Sequence, residues 1–160
     1  PYSSFVFATQ IAEVEADTDT GWVDVIKVTA VHDCGRAVNP MLAEGQVEGA
    51  VAMGVGFACM EELLLSEDGT VLNPGFRDYI VPTTMDVPEI DVVLLDNSFD
   101  EMGPYGAKGI GEPAILPTAP AIVNAIYDAV GIWITDLPIT PEKILRELGR
   151  KREEGGATDR

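Results

Sequence analysis

Between Asn39 and Leu65 the small residues recur at a spacing that suits one structure, a long helix approached closely by its neighbours. Ala50, Gly54 and Ala58 are four apart, and Gly45, Gly49, Ala52 and Gly56 follow at four, three and four. Each glycine inside a helix costs roughly 0.5–1 kcal/mol relative to alanine, so packing against another backbone or a ligand must compensate. Val47, Val51, Met53, Val55 and Phe57 carry apolar character around most of the circumference, which predicts a helix lying inside a core or under a partner. Asn39-Pro40 supplies a capping side chain and a first-turn proline, and the helix is expected to run from there to about Leu65.

Around this helix the chain reads as an α+β domain with a mixed sheet. Residues 4–16 and 22–33 are rich in Val, Ile, Phe and Thr, and Asp17-Thr18-Asp19-Thr20-Gly21 between them predicts a hairpin. Val23, Val25, Thr29 and Val31 share one face of the second strand, Trp22, Ile26, Val28 and Ala30 the other, so a strand covered on both sides is expected. Val71–Asn73 and Tyr79–Val81 read as short extended pieces and Ile90–Leu95 as a strand. A helix is expected from Ala119 or Pro120 to Val130, and a last one from Thr140-Pro141-Glu142 to Gly149. Residues 1–150 are taken as one domain segment and 151–160 as a flexible tail. The start at Pro1, already near strand-like sequence, suggests a piece of something longer.

Composition narrows the function. Hydrophobic residues at 46% and charged ones at 23% argue for a packed core. A net charge of −17 opposes binding to nucleic acid or anionic membranes, which requires clustered Lys and Arg. The twelve-residue apolar run Gly49–Met60 is too short to span a bilayer, and no basic-then-apolar leader opens the chain, so a cytoplasmic location is expected. Cys34 and Cys59 cannot form a disulfide scaffold, a zinc site or an iron–sulfur cluster, and no side chain is expected to ligate a metal.

Chemistry concentrates in two segments. Gly103-Pro104-Tyr105-Gly106-Ala107-Lys108-Gly109-Ile110-Gly111-Glu112-Pro113 has a glycine density that lets backbone N–H groups converge on an anion. Lys108 is one of few cations in the body, and Glu112 projects from a loop stiffened by Pro113, where a carboxylate suits general-base work. An ordinary surface turn satisfies the same residues. Asp33-Cys34-Gly35-Arg36-Ala37-Val38-Asn39-Pro40, followed by Gly45-Gln46-Val47-Glu48-Gly49, is the second segment. Gln46 there offers donor and acceptor together, or simply a solvated amide. His32 reads as a hydrogen-bonded structural residue, Cys34 and Cys59 as buried thiols, and Tyr105 as a candidate pocket wall.

Together the DCGRAVNP stretch, the GQVEGAVAMGVG helix, LNPGFRDY with the later DVPEI, GPYGAKGIGEP, NAIYDAVG and LPITPEKIL resemble the molybdenum hydroxylase family, the xanthine dehydrogenase and aldehyde oxidoreductase group. The resemblance runs over residues 1–148, with the motifs in the family's order. It implies the C-terminal half of a molybdopterin-binding domain. Gln46 then matches a glutamine that contacts the molybdopterin, and Lys108, Gly109, Ile110 and Gly111 match the loop bordering the cofactor. Glu112 matches the active-site glutamate, the general base that activates a hydroxyl on molybdenum.

The same resemblance implies oxidation of an aldehyde or a purine-like N-heterocycle. It also implies a molybdopterin cofactor in its cytosine dinucleotide form, with iron–sulfur centres and FAD in partner domains or subunits. The family's molybdenum subunit is several times longer than this chain, so the remainder of that subunit is an expected partner, in an oligomeric assembly. On its own the chain is expected to be inactive. The rival reading is a non-catalytic interaction or assembly domain that keeps the fold without the cofactor.

Overall fold

The computed structural model describes residues 4–95 and 98–158. The hairpin forms as expected. Strand β1 (Ala8–Ala16) pairs antiparallel with β2 (Val23–His32) across the Asp17–Gly21 turn, where the Asp17 carboxylate accepts from the Asp19 N–H at 2.8 Å. Strand β3 (Glu89–Leu94) pairs parallel with β2 on its other edge, giving the mixed three-stranded sheet order β1-β2-β3.

The expectation that β2 is covered on both faces needs correction. Glu13 pairs with Lys27 but Val14 pairs with Val25, so Ile26 is an extra residue, a β-bulge. The bulge puts Val23 and Val25 on the same face as Val28 and Ala30, although their alternation differs. That single face packs on the core, while Trp22, Ile26 and Ile11 are exposed on the other.

Helix α1 (Pro40–Cys59) lies against the core through Val47, Ala50, Val51, Val55 and Ala58. Asn39 caps it by accepting the Leu42 N–H at 3.2 Å. At Gly54 the helix touches α2 (Thr118–Val130) so closely that a Cβ would sit 2.5 Å from Thr118 Cβ. The opposite side of α1, including Met41, Leu42, Met53 and Phe57, is exposed, and Gly45 and Gly49 face open space.

The helix ends six residues before the predicted Leu65. Gly56 O accepts both the Met60 and Glu61 N–H groups, and the chain then turns extended. Asn73 holds it there, accepting from Leu64 N and donating to Glu62 O, while Leu65 bridges to Val71. A buried amide thus satisfies the backbone that a longer helix would have satisfied. Glu61 accepts from the Tyr79 hydroxyl at 2.8 Å, and Tyr79–Val81 joins no ladder.

Helix α2 closes at Gly131, as expected. Helix α3 (Pro141–Thr158) does not stop at Gly149 but continues to Thr158. Arg150 pairs with Glu147 at 2.8 Å and Lys151 donates to the Val130 carbonyl at 2.9 Å, contacts that carry the helix past the glycine. Ile122 and Ile126 of α2 and Ile144 of α3 are fully buried, each contributing roughly 1.5–3 kcal/mol.

Candidate cofactor site

The sheet delivers the site from the end of β2. Beyond His32 the chain keeps running beside the glycine-rich loop, antiparallel to it. Arg36 N–H donates to Gly106 O at 2.8 Å, Gly35 bridges to Ala107, and Lys108 N–H donates to Cys34 O at 2.8 Å. Gly35 has φ +64°, and a Cβ there would lie 2.4 Å from Gly106 O, so this pairing requires glycine. Gly106, at φ +82°, packs under the Phe99 ring, 2.3 Å from where its own Cβ would be.

One ion pair reinforces the pairing. Lys108 Nζ sits 2.6 Å from Asp33 Oδ2, with side chains only 12% and 5% exposed. Asp33 Oδ1 accepts the Gly35 N–H at 3.0 Å. Burial alone would raise the Asp33 pKa, but hydrogen bonds from Lys108, Gly35 and Ser98 outweigh it and hold the carboxyl below its ordinary range. Beside it His32 is 1% exposed, and its Nε2 has no hydrogen-bond partner among the described residues. Burial pushes this imidazole below its usual pKa, against the opposing influence of Asp33 and the Gly109 backbone. Burial likewise raises the Cys34 thiol, and takes Cys59 to about 11, leaving both as inert thiols.

Between this loop pair and the N-terminal turns of α1 lies a cleft of about 330 Å³. Gln46, Lys108 and Ile110 line it, together with Arg36, Asn39 and Leu42. Gln46 Nε2 reaches across to Gly111 O at 3.4 Å, tying α1 to the loop one residue before Glu112. Gly109, Gly111 and Glu112, which do not line the cleft, are exposed along the same loop. The structure therefore brings Gln46, Lys108, Ile110 and Gly111 together, with Gly109 and Glu112 adjacent to them in the chain. Tyr105, 80% exposed with φ +58°, is not among the residues lining the cleft.

Residues 1–88 match the molybdopterin cofactor-binding domain family. This chain belongs to that family. It is 40% identical over 148 residues to the aldehyde oxidoreductase molybdenum-binding subunit PaoC of Escherichia coli K12, covering 92% of this chain and 20% of the relative. It is 37% identical over 143 residues to the xanthine dehydrogenase molybdenum-binding subunit of Escherichia coli O157:H7, covering 89% and 19%. The crystal structure of quinoline 2-oxidoreductase from Pseudomonas putida 86 superposes with a TM-score of 0.78 at 36% identity, over 85% of this chain and 18% of that one. The chain thus spans about a fifth of the length of these relatives.

The cleft suits a molybdopterin. Such a cofactor is anionic and rich in hydrogen-bonding groups, and the cleft presents Arg36, the Gln46 amide and the first turn of α1, which holds no acidic residue. Cβ atoms built on Gly109 and Gly111 would meet nothing within 4 Å, so the loop backbone is open to close approach. Asp33 is the residue whose part sequence reasoning left unassigned. Its signal was its place at the head of the DCGRAVNP stretch, but only the fold shows that it faces Lys108.

No helix among the described residues is long and apolar enough to cross a membrane.

Proposed function

We propose that this chain forms the C-terminal portion of a molybdenum-binding subunit whose assembled enzyme hydroxylates or dehydrogenates an aldehyde or a purine-like N-heterocycle. The observation that supports this reading is the Gln46–Gly111 contact across the cleft, which joins the amide proposed to meet the cofactor to the residue just before Glu112. The bound molybdenum cofactor, in its cytosine dinucleotide form, supplies the oxidising centre.

The chain's own residues do the rest. Gln46 hydrogen-bonds the cofactor edge, and the backbone from Lys108 through Gly109 and Ile110 to Gly111 borders it. Glu112, exposed on the same loop, takes up the proton of the attacking oxygen nucleophile as general base. Iron–sulfur centres and FAD reside in partner domains or subunits of a cytoplasmic, oligomeric complex. The exposed side of α1, with Met41, Leu42, Met53 and Phe57, is where the remainder of the subunit would cover this chain.

Glu112→Gln in the complete enzyme tests the reading, because it keeps shape and removes proton acceptance. Turnover should fall roughly 10²–10⁴-fold while molybdenum stays near stoichiometric. A variant within threefold of wild type would remove Glu112 from the mechanism. An assembled protein that holds no molybdenum at all would point instead to a non-catalytic assembly domain.

A further inference from the structure

Glu112 has no anchor of its own: among the described residues its side chain makes no hydrogen bond or ion pair, and its carbonyl accepts only the Ile115 N–H at 3.3 Å. Downstream, the Ala114 carbonyl accepts from Gln10 at 2.7 Å; the other holds on its place lie upstream in the loop, where Gln46 also reaches Gly111 at 3.4 Å. There the pairing runs in register, Arg36 with Gly106, Gly35 with Ala107, Cys34 with Lys108, and it reaches Gly109, whose backbone lies against the His32 imidazole. The two consecutive residues that end this ladder, His32 and Asp33, grip two consecutive residues of the loop, Gly109 and Lys108. Glu112 follows three positions later.

The charge arithmetic agrees with a mechanical duty. A lysine held ready for phosphate would keep its ammonium open to the cleft, yet Lys108 Nζ is spent on a buried carboxylate at 2.6 Å. Lys27 is bound by Glu89 and Asp91 far along the sheet, so among the cleft-lining residues Arg36 keeps the free guanidinium.

We propose that Asp33 and Lys108 are positioning residues: the buried pair sets the register of the glycine-rich loop on β2 and thereby holds Glu112 at its working distance, and the Lys108 ammonium does not itself bind cofactor phosphate. This rests on Glu112 being the base. A misplacement of about 1 Å in a catalytic group can cost on the order of 100-fold in rate, so the effect falls on kcat and leaves KM nearly alone.

The test uses the assembled enzyme with Lys108→Met, Asp33→Asn, the double variant and Lys108→Arg. Molybdenum content, the molybdenum electron-paramagnetic-resonance spectrum, kcat and KM are measured for each. Both single variants should lower kcat roughly 10–100-fold with KM within about twofold and most of the molybdenum retained. The double variant should lose no more than either single one, because both remove one interaction. Lys108→Arg should recover most of the rate.

If Lys108→Met empties the enzyme of molybdenum while Asp33→Asn keeps it, the ammonium contacts the cofactor and the proposal fails. Unchanged kcat in both single variants also overturns it. Failure of the underlying reading looks different: Glu112→Gln would then be fully active whatever the Asp33 and Lys108 variants do.

Discussion

The two ends of the glycine-rich loop use the same residue for opposite purposes. At Gly106, and at its neighbour Gly35 across the pairing, the space a side chain would take is filled by the protein itself: the Phe99 ring in one case and the Gly106 carbonyl in the other. At Gly109 and Gly111 the corresponding space is open. Both of the first pair have positive φ, at +82° and +64°, while the second pair shows no left-handed backbone. One end of the loop is glycine because the fold has no room; the other leaves its backbone bare beside the cleft. Composition alone cannot separate the two, since a loop with four glycines in nine residues reads the same either way.

The sharpest way to break this contrast is Gly35→Ala. A left-handed backbone costs an alanine roughly 1–2 kcal/mol, and the 2.4 Å approach to a backbone oxygen adds to it because that atom cannot swing aside. The melting temperature of the assembled subunit should drop by more than in Gly111→Ala, His32→Phe, Asp33→Asn or Lys27→Met. A melting temperature equal to wild type would show that the pairing of residues 34–36 with 106–108 is dispensable.

Gly111→Ala should move the other way. Replacing a glycine whose backbone suits alanine adds roughly 0.4–1 kcal/mol through the unfolded chain, so the melting temperature should hold or rise slightly. Molybdenum per subunit should nevertheless fall, because the new methyl occupies space that the loop leaves open. Full occupancy in Gly111→Ala would mean that the open end of the loop does not meet the cofactor.

Acid sharpens the picture of the anchored end. The folded Asp33 pKa lies below its ordinary value of 3.8, so its contribution to stability is complete above that value and is lost as pH falls through the folded one. His32 is also depressed, from 6.5, so its contribution is complete above about 6.5 and is lost as pH falls below it. Chemical denaturation should therefore show two losses on acidification: an upper one abolished by His32→Phe, and a lower one, shared with other carboxyls held low such as Asp68 and Asp86, that Asp33→Asn reduces. A single loss, unchanged in Asp33→Asn, would detach the ion pair from stability.

The smallest expected effect belongs to Lys27→Met. Lys27 sits 2.6 Å from Asp91 and 3.0 Å from Glu89, distances like that of Lys108 to Asp33. Those partners are 54% and 68% exposed, and water screens the pairs. The melting temperature should be indistinguishable from wild type. A large drop would mean that distance, not burial, ranks the ion pairs of this chain.

The sequence displayed the hairpin, the helix start at Asn39-Pro40 and the parallel third strand's position because local chemistry determines them: turn residues, a cap, an apolar run. It marked Gln46, Glu112 and the loop between Lys108 and Gly111 as candidates through ordered motifs. What it hid were the features made by contacts distant in the chain. Asn73 ends α1 from eleven residues beyond Glu62, and Lys151 extends α3 by reaching Val130. Asp33 and Lys108 are 75 positions apart, so no window along the chain holds both.

The bulge at Ile26 has a consequence for how this segment tolerates change in length. Strand residues take sides by odd and even count, and the extra residue shifts that count once, halfway along β2. Val23 and Val25 face the core by one parity, Val28, Ala30 and His32 by the other. Deleting Ile26 would restore regular alternation and leave Val23, Val25, Val28, Ala30 and His32 all on one face. His32 would stay turned inward and Asp33 beside Lys108, although the strand had lost a residue. Chains that share this site should thus vary both in the identity of residue 26 and in its presence.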